Sequence, residues 1–244
     1  MNIDLTSAYL LDIIYQDADL VAINKPSGLL VHRSPIDKHE TRFALQELRN
    51  QLGQHVYPLH RLDKPTSGVL VFALSSEAAS FYSEQFREHQ IHKAYIALVR
   101  GYGPEQMTID HALKDEVDEY AGITKAGNAK PALTRVKCVQ QFEIPLRVDR
   151  YPNTRLSLMQ CEPVTGRKHQ IRRHLKHIGH PIVGDSRHGK GLLNRACEGY
   201  FGAGRLWLAC TQMVLMQNNG DKLTINAPLA ADFSQVLHQL SFDS

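Results

Sequence analysis

His60-Arg61-Leu62-Asp63-Lys64-Pro65-Thr66-Ser67-Gly68 separates two runs that read as strands, Val56 to Leu62 and Gly68 to Leu74. Regular structure cannot pass through it. Pro65 has no amide proton to give a ladder and disfavours helix at Lys64. Asp63 is therefore predicted on a loop at a strand's end, beside Arg61 and ahead of a Pro-Thr-Ser-Gly turn that fixes its aim. Such a carboxylate suits a reacting group. It equally suits an aspartate that merely accepts backbone hydrogen bonds within its turn, and spacing alone leaves both readings open.

Outward from this loop the pattern is one of strands in bunches with a few helices between them. Asp19 to Asn24 reads as a buried strand, Lys25-Pro26-Ser27-Gly28 as a turn, and Leu29-Leu30-Val31 as a second strand. Arg42 to Leu52 has the apolar spacing of an amphipathic helix that ends at Gly53, and Ser75 or Ser76 caps a helix running to about Gln90. Lys93 to Gly101 alternates as a strand does, with Tyr95 near its start. Pro104 to Pro131 is polar and reads as strands and loops over the surface. Strands return at Ala132 to Gln140 and Thr154 to Cys161. Thr165-Gly166 then opens a helix that stops at Gly179, and Leu206 to Leu215 and Lys222 to Ile225 read as strands. No repeat or linker divides the chain, so a single domain over 1–244 of the α+β class, built on a mixed sheet, is expected.

The 244 residues are 43% hydrophobic and 22% charged, enough for a substantial core. No apolar run approaches the roughly 20 residues of a membrane helix, and Met1-Asn2-Ile3-Asp4-Leu5 lacks the layout of a secretory signal. A cytoplasmic protein without membrane contact is expected. Cys138, Cys161, Cys197 and Cys210 are too widely spaced for a zinc ribbon or redox pair. The net charge of +3 says little by itself, but seven Lys or Arg against two acids between 160 and 190 make that segment +5 and leave the rest at −2. A basic patch on a mildly acidic body suits an anionic partner, because each neutralised phosphate releases counterions; a solvated helix face would look similar.

The nine-residue run at Asp63 resembles the active-site motif of the RluA family of pseudouridine synthases, whose aspartate is catalytic. Further stretches stand in that family's order: Asn24-Lys25-Pro26-Ser27-Gly28, Lys93-Ala94-Tyr95, Thr165-Gly166-Arg167-Lys168-His169-Gln170-Ile171-Arg172 and Pro181-Ile182-Val183-Gly184-Asp185. The resemblance runs from roughly residue 12 to 228, and five ordered motifs are a specific signal. It implies the pseudouridine synthase fold: a large mixed, mostly antiparallel sheet with flanking helices and a central catalytic cleft. No amino-terminal S4-type RNA-binding domain is expected, since the catalytic pattern begins within about the first 15 residues.

By the same resemblance the family's aspartate, tyrosine and arginine map to Asp63, Tyr95 and Arg172, and each role makes physical sense. Exchanging an N-glycosidic bond for a carbon one needs an ionised group held at the sugar and shielded from water. A carboxylate qualifies, and Arg172 as a two-pronged donor keeps it charged when buried. Tyr95 offers a face for an extruded uracil and a phenol that helps move the C5 proton. Arg61 points away from Asp63 along an extended segment and fills the place of the flipped nucleotide or holds phosphate. Arg167, Lys168, Arg173 and Lys176 supply the RNA contacts.

Cofactors and metals are not called for. His169, His174, His177 and His180 crowd one helix and its end, but their spacings bring no carboxylate or cysteine beside them as another ligand. Within the family, Pro26 to Arg33, Arg150 to Arg155 and Gly184 to Gly189, with His188 where many relatives have tyrosine, most resemble the members that modify tRNA at uridine 65 in the T stem. A stem is read through phosphates, sugar hydroxyls and shape, which the basic segment suits. The expected partner is therefore tRNA, bound by a monomer with no obligatory protein partner. A ribosomal-RNA synthase is the alternative of the same chemistry; a catalytically idle RNA-binding or RNA-folding protein, and a hydrolase releasing uracil, are those of other classes.

Overall fold

The most buried strand of the molecule begins where the Asp63 loop ends. A computed structural model of the chain describes residues 10–33, 39–114, 116, 127–148 and 150–243. The elements, in chain order, are β1 (Ile13–Gln16), β2 (Leu20–Lys25), α1 (Ala44–Leu52), β3 (Tyr57–Pro58), β4 (Ser67–Ala73), α2 (Ser76–Arg87), β5 (His92–Arg100), β6 (Gln106–Asp110), β7 (Leu113–Lys114), β8 (Ala129–Lys130), β9 (Leu133–Ile144), β10 (Thr154–Pro163), α3 (Gln170–His177), α4 (Gly191–Phe201), β11 (Leu208–Met216), β12 (Lys222–Asn226) and α5 (Ala231–Asp243). One large sheet runs β1-β2-β4-β11-β5-β10-β9-β6, with β3 beside β4 and β12 beside β11. Its pairings are antiparallel except for a short parallel contact, Ala209 with Ser67 and Cys210 with Gly68, between β11 and β4. This is the mixed, mostly antiparallel sheet that the sequence implied.

Alternation along the strands explains why the sheet carries helices on both faces. On β5, Tyr95, Ala97 and Val99 belong to one apolar cluster, with α1, α2 and α3 contributing Leu48, Tyr82 and Leu175. Leu98 faces the other, which α4 and α5 close with Leu193, Phe233, Val236 and Leu240. Tyr95 and α3 thus share a face. Helix ends follow local chemistry. Gly53 ends α1 in the left-handed region, and the Ser75 side chain accepts from the Ala78 amide at 3.1 Å to start α2.

Several elements differ from the sequence reading. Leu29 to Val31 forms only an isolated bridge, Leu30 with Phe43. The strand expected over Val56 to Leu62 shrinks to Tyr57–Pro58. Leu59 still donates to the Val71 carbonyl at 3.2 Å, but the Val71 amide is taken by His60 Nε2 at 3.1 Å, so a side chain replaces the next rung of the ladder. Helix α2 stops at Arg87, before His89 turns left-handed with φ 57°. Helix α3 starts at Gln170 rather than at Thr165, because Gln170 Oε1 accepts from the Thr165 hydroxyl at 2.7 Å and the Arg167 amide at 3.0 Å and holds the preceding segment as a turn. The 104–131 segment does carry strands over the surface, as expected, but buries Ile109 and Leu113: β6 extends the main sheet along β9, and β7 pairs with β8 as a separate ribbon. Residues 115 and 117–126 of it, like the amino-terminal segment read for a signal, lie outside the described residues. β1, α4 and α5 were not anticipated, and α5 contributes core residues beyond residue 228, where the family resemblance ends. No helix among the described residues is long and apolar enough to cross a membrane.

Candidate active site

Two sequence motifs build the support for Asp63. Lys25 ends β2 opposite Gly68, where β4 begins. Its side chain is wholly buried, and its Nζ donates to the carbonyls of Pro26 (2.9 Å), Leu29 (2.7 Å) and Lys64 (3.1 Å). The Gly28 amide donates to Lys64 O at 2.9 Å, and the Ser27 hydroxyl to Pro65 O at 2.7 Å. The turn at 25–28 therefore grips the turn at 63–66 by its carbonyls. Burial pushes the Lys25 ammonium down to about 7, with nearby Asp63 opposing the drop. Gly68, at φ 107°, has no room for a Cβ, which would collide with the backbone of Cys210.

The Asp63 carboxylate faces α3. Arg172 Nη1 donates to Asp63 Oδ2 at 2.8 Å. The two-pronged grip expected there is instead made on Asp185, whose Oδ2 and Oδ1 accept from Arg172 Nε at 2.8 Å and Nη2 at 2.9 Å. The sequence quoted Asp185 in a motif but gave it no role. Its position follows from Pro181 to Val183, which bonds both to the end of β5 and to Trp207 just before β11: Arg100 donates to Pro181 O (3.0 Å), Val183 to Leu98 O (2.9 Å) and Trp207 to Val183 O (3.1 Å). Gly184 then turns at φ 78°, where a side chain would meet the Arg205 backbone. Asp185, with its side chain fully shielded, also accepts from the Arg187 and His188 amides at 2.9 Å each.

Charge in this row is fixed by its neighbours. Burial disfavours the charged Arg172, but hydrogen bonds to Asp185 and attraction to Asp63 outweigh that and hold its proton more tightly than usual. Asp185 is likewise ionised below the usual carboxylate range: burial opposes this, and Arg172 with the two amides overcomes it. Arg172 is only 5% exposed, so it is a carboxylate partner here and not a surface phosphate ligand.

Asp63, Tyr95 and Arg172 line one cleft of about 500 Å³, a volume that accepts a nucleotide. Tyr95 is nearly buried, and desolvation, with a hydrogen bond to Cys210, holds its phenol proton well above the ordinary range. Arg61, Arg167, Lys168 and Arg173 line the same cleft; Lys176 lies outside it, exposed on α3. Arg61 was expected to point away from Asp63, yet it lines the same cleft, because residues two apart on an extended segment lie on one face. Because α3 begins late, Arg167 and Lys168 sit on the turn before it rather than on the helix. Lys93, Lys114 and Lys130 were missed. They bring the cations of the described lining to eight against two acids, Asp63 and Glu116, so the cleft favours a polyanion. Lys114 and Lys130 come from the β7–β8 ribbon, which no periodicity in the sequence revealed.

The expected histidine helix is dispersed. His169 precedes α3 in a left-handed conformation, φ 53°, while His174 is buried against Thr134 and the His111 carbonyl, both at 2.9 Å. His177 stacks on His111 with ring centres 3.7 Å apart. His169 is the member that reaches Asp63, Nε2 to Oδ2 at 3.8 Å, and a carboxylate does stand beside it: Glu116 Oε2 lies 3.3 Å from its Nδ1. Burial keeps its imidazole neutral well below the ordinary histidine range.

Comparison with known proteins bears on this geometry. Residues 19–177 match the family described as RNA pseudouridylate synthase. Proteins called tRNA pseudouridine synthase C are similar over most of the chain. The one from Pectobacterium carotovorum subsp. carotovorum is 48% identical over 236 residues, 96% of this chain and 63% of that protein, so the chain spans less than two thirds of its length. The one from Vibrio parahaemolyticus is 46% identical over 236 residues, 96% of each. Among solved structures, the human RNA pseudouridylate synthase domain containing 4 superposes with a TM-score of 0.70 at 26% identity, covering 94% of this chain and 93% of that one.

Proposed function

The chain belongs to the RNA pseudouridylate synthase family, enzymes that isomerise uridine to pseudouridine in RNA, and we propose that its substrate is tRNA and its reacting group Asp63. The observation that carries this reading is the Asp63 carboxylate, held by Arg172 at 2.8 Å inside a cleft lined by cations. The names of its relatives support the choice of tRNA, and the resemblance of its details to the T-stem modifiers points to uridine 65. The proposed enzyme is a monomer without an obligatory protein partner, one catalytic domain working where tRNA is found, in the cytoplasm.

In the proposed reaction a uridine leaves its stack and enters the cleft, its phosphates met by Arg61, Arg167, Lys168 and Arg173. Asp63, held by Arg172, promotes cleavage of the bond between C1′ and N1, either by adding to the base or by taking a sugar proton; both routes use the same carboxylate. The uracil turns against the Tyr95 ring and C5 bonds to C1′. The C5 proton then departs and N1 gains one, so the product is an isomer and needs no cofactor. Tyr95, whose burial makes a phenolate costly, assists by relaying this proton rather than by storing charge.

Mapping pseudouridine by chemical labelling and primer extension in total RNA, from cells with and without the gene, tests the substrate. Loss confined to the T stem of tRNA supports the proposal. Loss in ribosomal RNA instead would overturn it.

A further inference from the structure

Glu116 and His169 line the cleft, His188 touches His169, and one ligand atom from each of the three lies within 4.8 Å of the other two. His169 Nδ1 is 3.1 Å from His188 Nε2 and 3.3 Å from Glu116 Oε2. Metal–ligand bonds of about 2.0–2.1 Å in a tetrahedral shell set neighbouring ligand atoms roughly 3.3 Å apart, which the two separations at His169 Nδ1 match.

Proton counting favours a cation at this point. One hydrogen satisfies the imidazole pair, one ring donating and the other accepting. If His188 donates, Glu116 Oε2 faces a nitrogen lone pair; if His169 donates, its proton is spent on His188. In both cases the buried Glu116 Oε2 accepts no hydrogen bond. Its charge is met by Arg187, 3.1 Å away, and more loosely by Arg173 Nε at 3.9 Å from Oε1; Arg187 is 57% exposed on a long stem that can withdraw. The far nitrogen of His169 already faces Asp63 Oδ2 at 3.8 Å, the carboxylate–histidine arrangement that orients metal-bound imidazoles.

We propose that Glu116, His169 and His188 form a site for a divalent transition metal of the zinc type, with its fourth position open to the cleft. A bound ion would sit one imidazole away from Asp63 and turn His169 Nε2–H onto that carboxylate, so Zn²⁺ slows isomerisation when the site fills. The slowing rests on Asp63 being the reacting group; binding of the ion does not, so the two fail separately.

Co²⁺ is the probe, titrated into the full chain and followed by its visible absorption, which is intense only in tetrahedral-type coordination. One ion per chain is expected. Glu116→Gln and His188→Asn should each weaken it at least about tenfold, whereas His111→Asn, at the stacked imidazole pair elsewhere, leaves it unchanged. Absence of the visible bands, or bands of equal affinity in both ligand variants, would overturn the site. Bands accompanied by an isomerisation rate indifferent to Zn²⁺ would overturn the inhibitory consequence alone.

Discussion

At the scale of single residues, what distinguishes Asp63 from an ordinary turn aspartate is the guanidinium it faces, and Asp185 holds that guanidinium in place. Asp185→Asn leaves Arg172 buried with a weakened second anchor. We expect a stability loss of about 3–5 kcal/mol and a fall in kcat on the order of tenfold or more, because a small misplacement of a reacting group is costly. Denaturant melts and single-turnover rates measure both, and a kcat that survives would deny Asp185 its positioning role. Asp63, Tyr95 and Arg172 were legible in the sequence because each stands in a motif. Asp185 was visible in a motif as well, but its role was not, since the interaction spans thirteen residues and depends on a segment that bonds to the end of β5 and to Trp207 just before β11. The partners of Lys25 were hidden for the same reason: three carbonyls of two turns meet its ammonium only after the sheet has formed.

At the scale of elements, the loop depends on how β4 enters the sheet. Gly68→Ala puts a methyl group into the Cys210 backbone at a positive φ, and we expect a loss of roughly 3 kcal/mol or more, seen as insoluble or destabilised protein; a normal melting temperature would contradict the packing described. His60 gives the same region a pH dependence. Its Nε2 must accept from the Val71 amide, so the imidazole is needed neutral, and burial lowers it to about 3. The folded value lies below that of the free side chain, roughly 6.5. This contribution is therefore complete above pH 6.5 and is lost as pH falls toward 3. Between those limits wild-type stability should fall more steeply than that of His60→Asn, by up to about 1.4 kcal/mol per pH unit; parallel curves in urea melts would remove His60 from the account. Helices α1 and α2 could be read from periodicity and capping, whereas β3 could not be distinguished from a full strand, because only the folded chain shows a side chain occupying the next ladder position. Helix α3 was read five residues too long because Thr165 resembles a cap, when its partner is in fact the Gln170 side chain.

At the scale of the whole molecule, the sheet gathers cations from distant parts of the chain around two acids. The sequence showed the 160–190 cluster but not that Lys93 on β5, or Lys114 and Lys130 on the β7–β8 ribbon, line the same cleft, because the pairing of distant segments has no local signature. Each phosphate contact removed should flatten the dependence of log affinity on log salt by about 0.7–0.9. Arg167→Ala with Lys168→Ala is thus expected to reduce the slope for a tRNA T-arm stem-loop by roughly 1.5; an unchanged slope would place the RNA elsewhere. The α+β class and the mixed sheet were legible from bunched strands, while α5 was not, since its Phe233, Val236 and Leu240 make a core stripe only opposite Trp207 and Leu193. The central claim, that one carboxylate in this cleft performs the isomerisation, is tested most directly by purified Asp63→Asn on a tRNA transcript, with pseudouridine counted after nuclease digestion. Binding of the transcript and the melting temperature should stay close to wild type, while pseudouridine formation falls at least about a thousandfold; formation at the wild-type rate would contradict the claim.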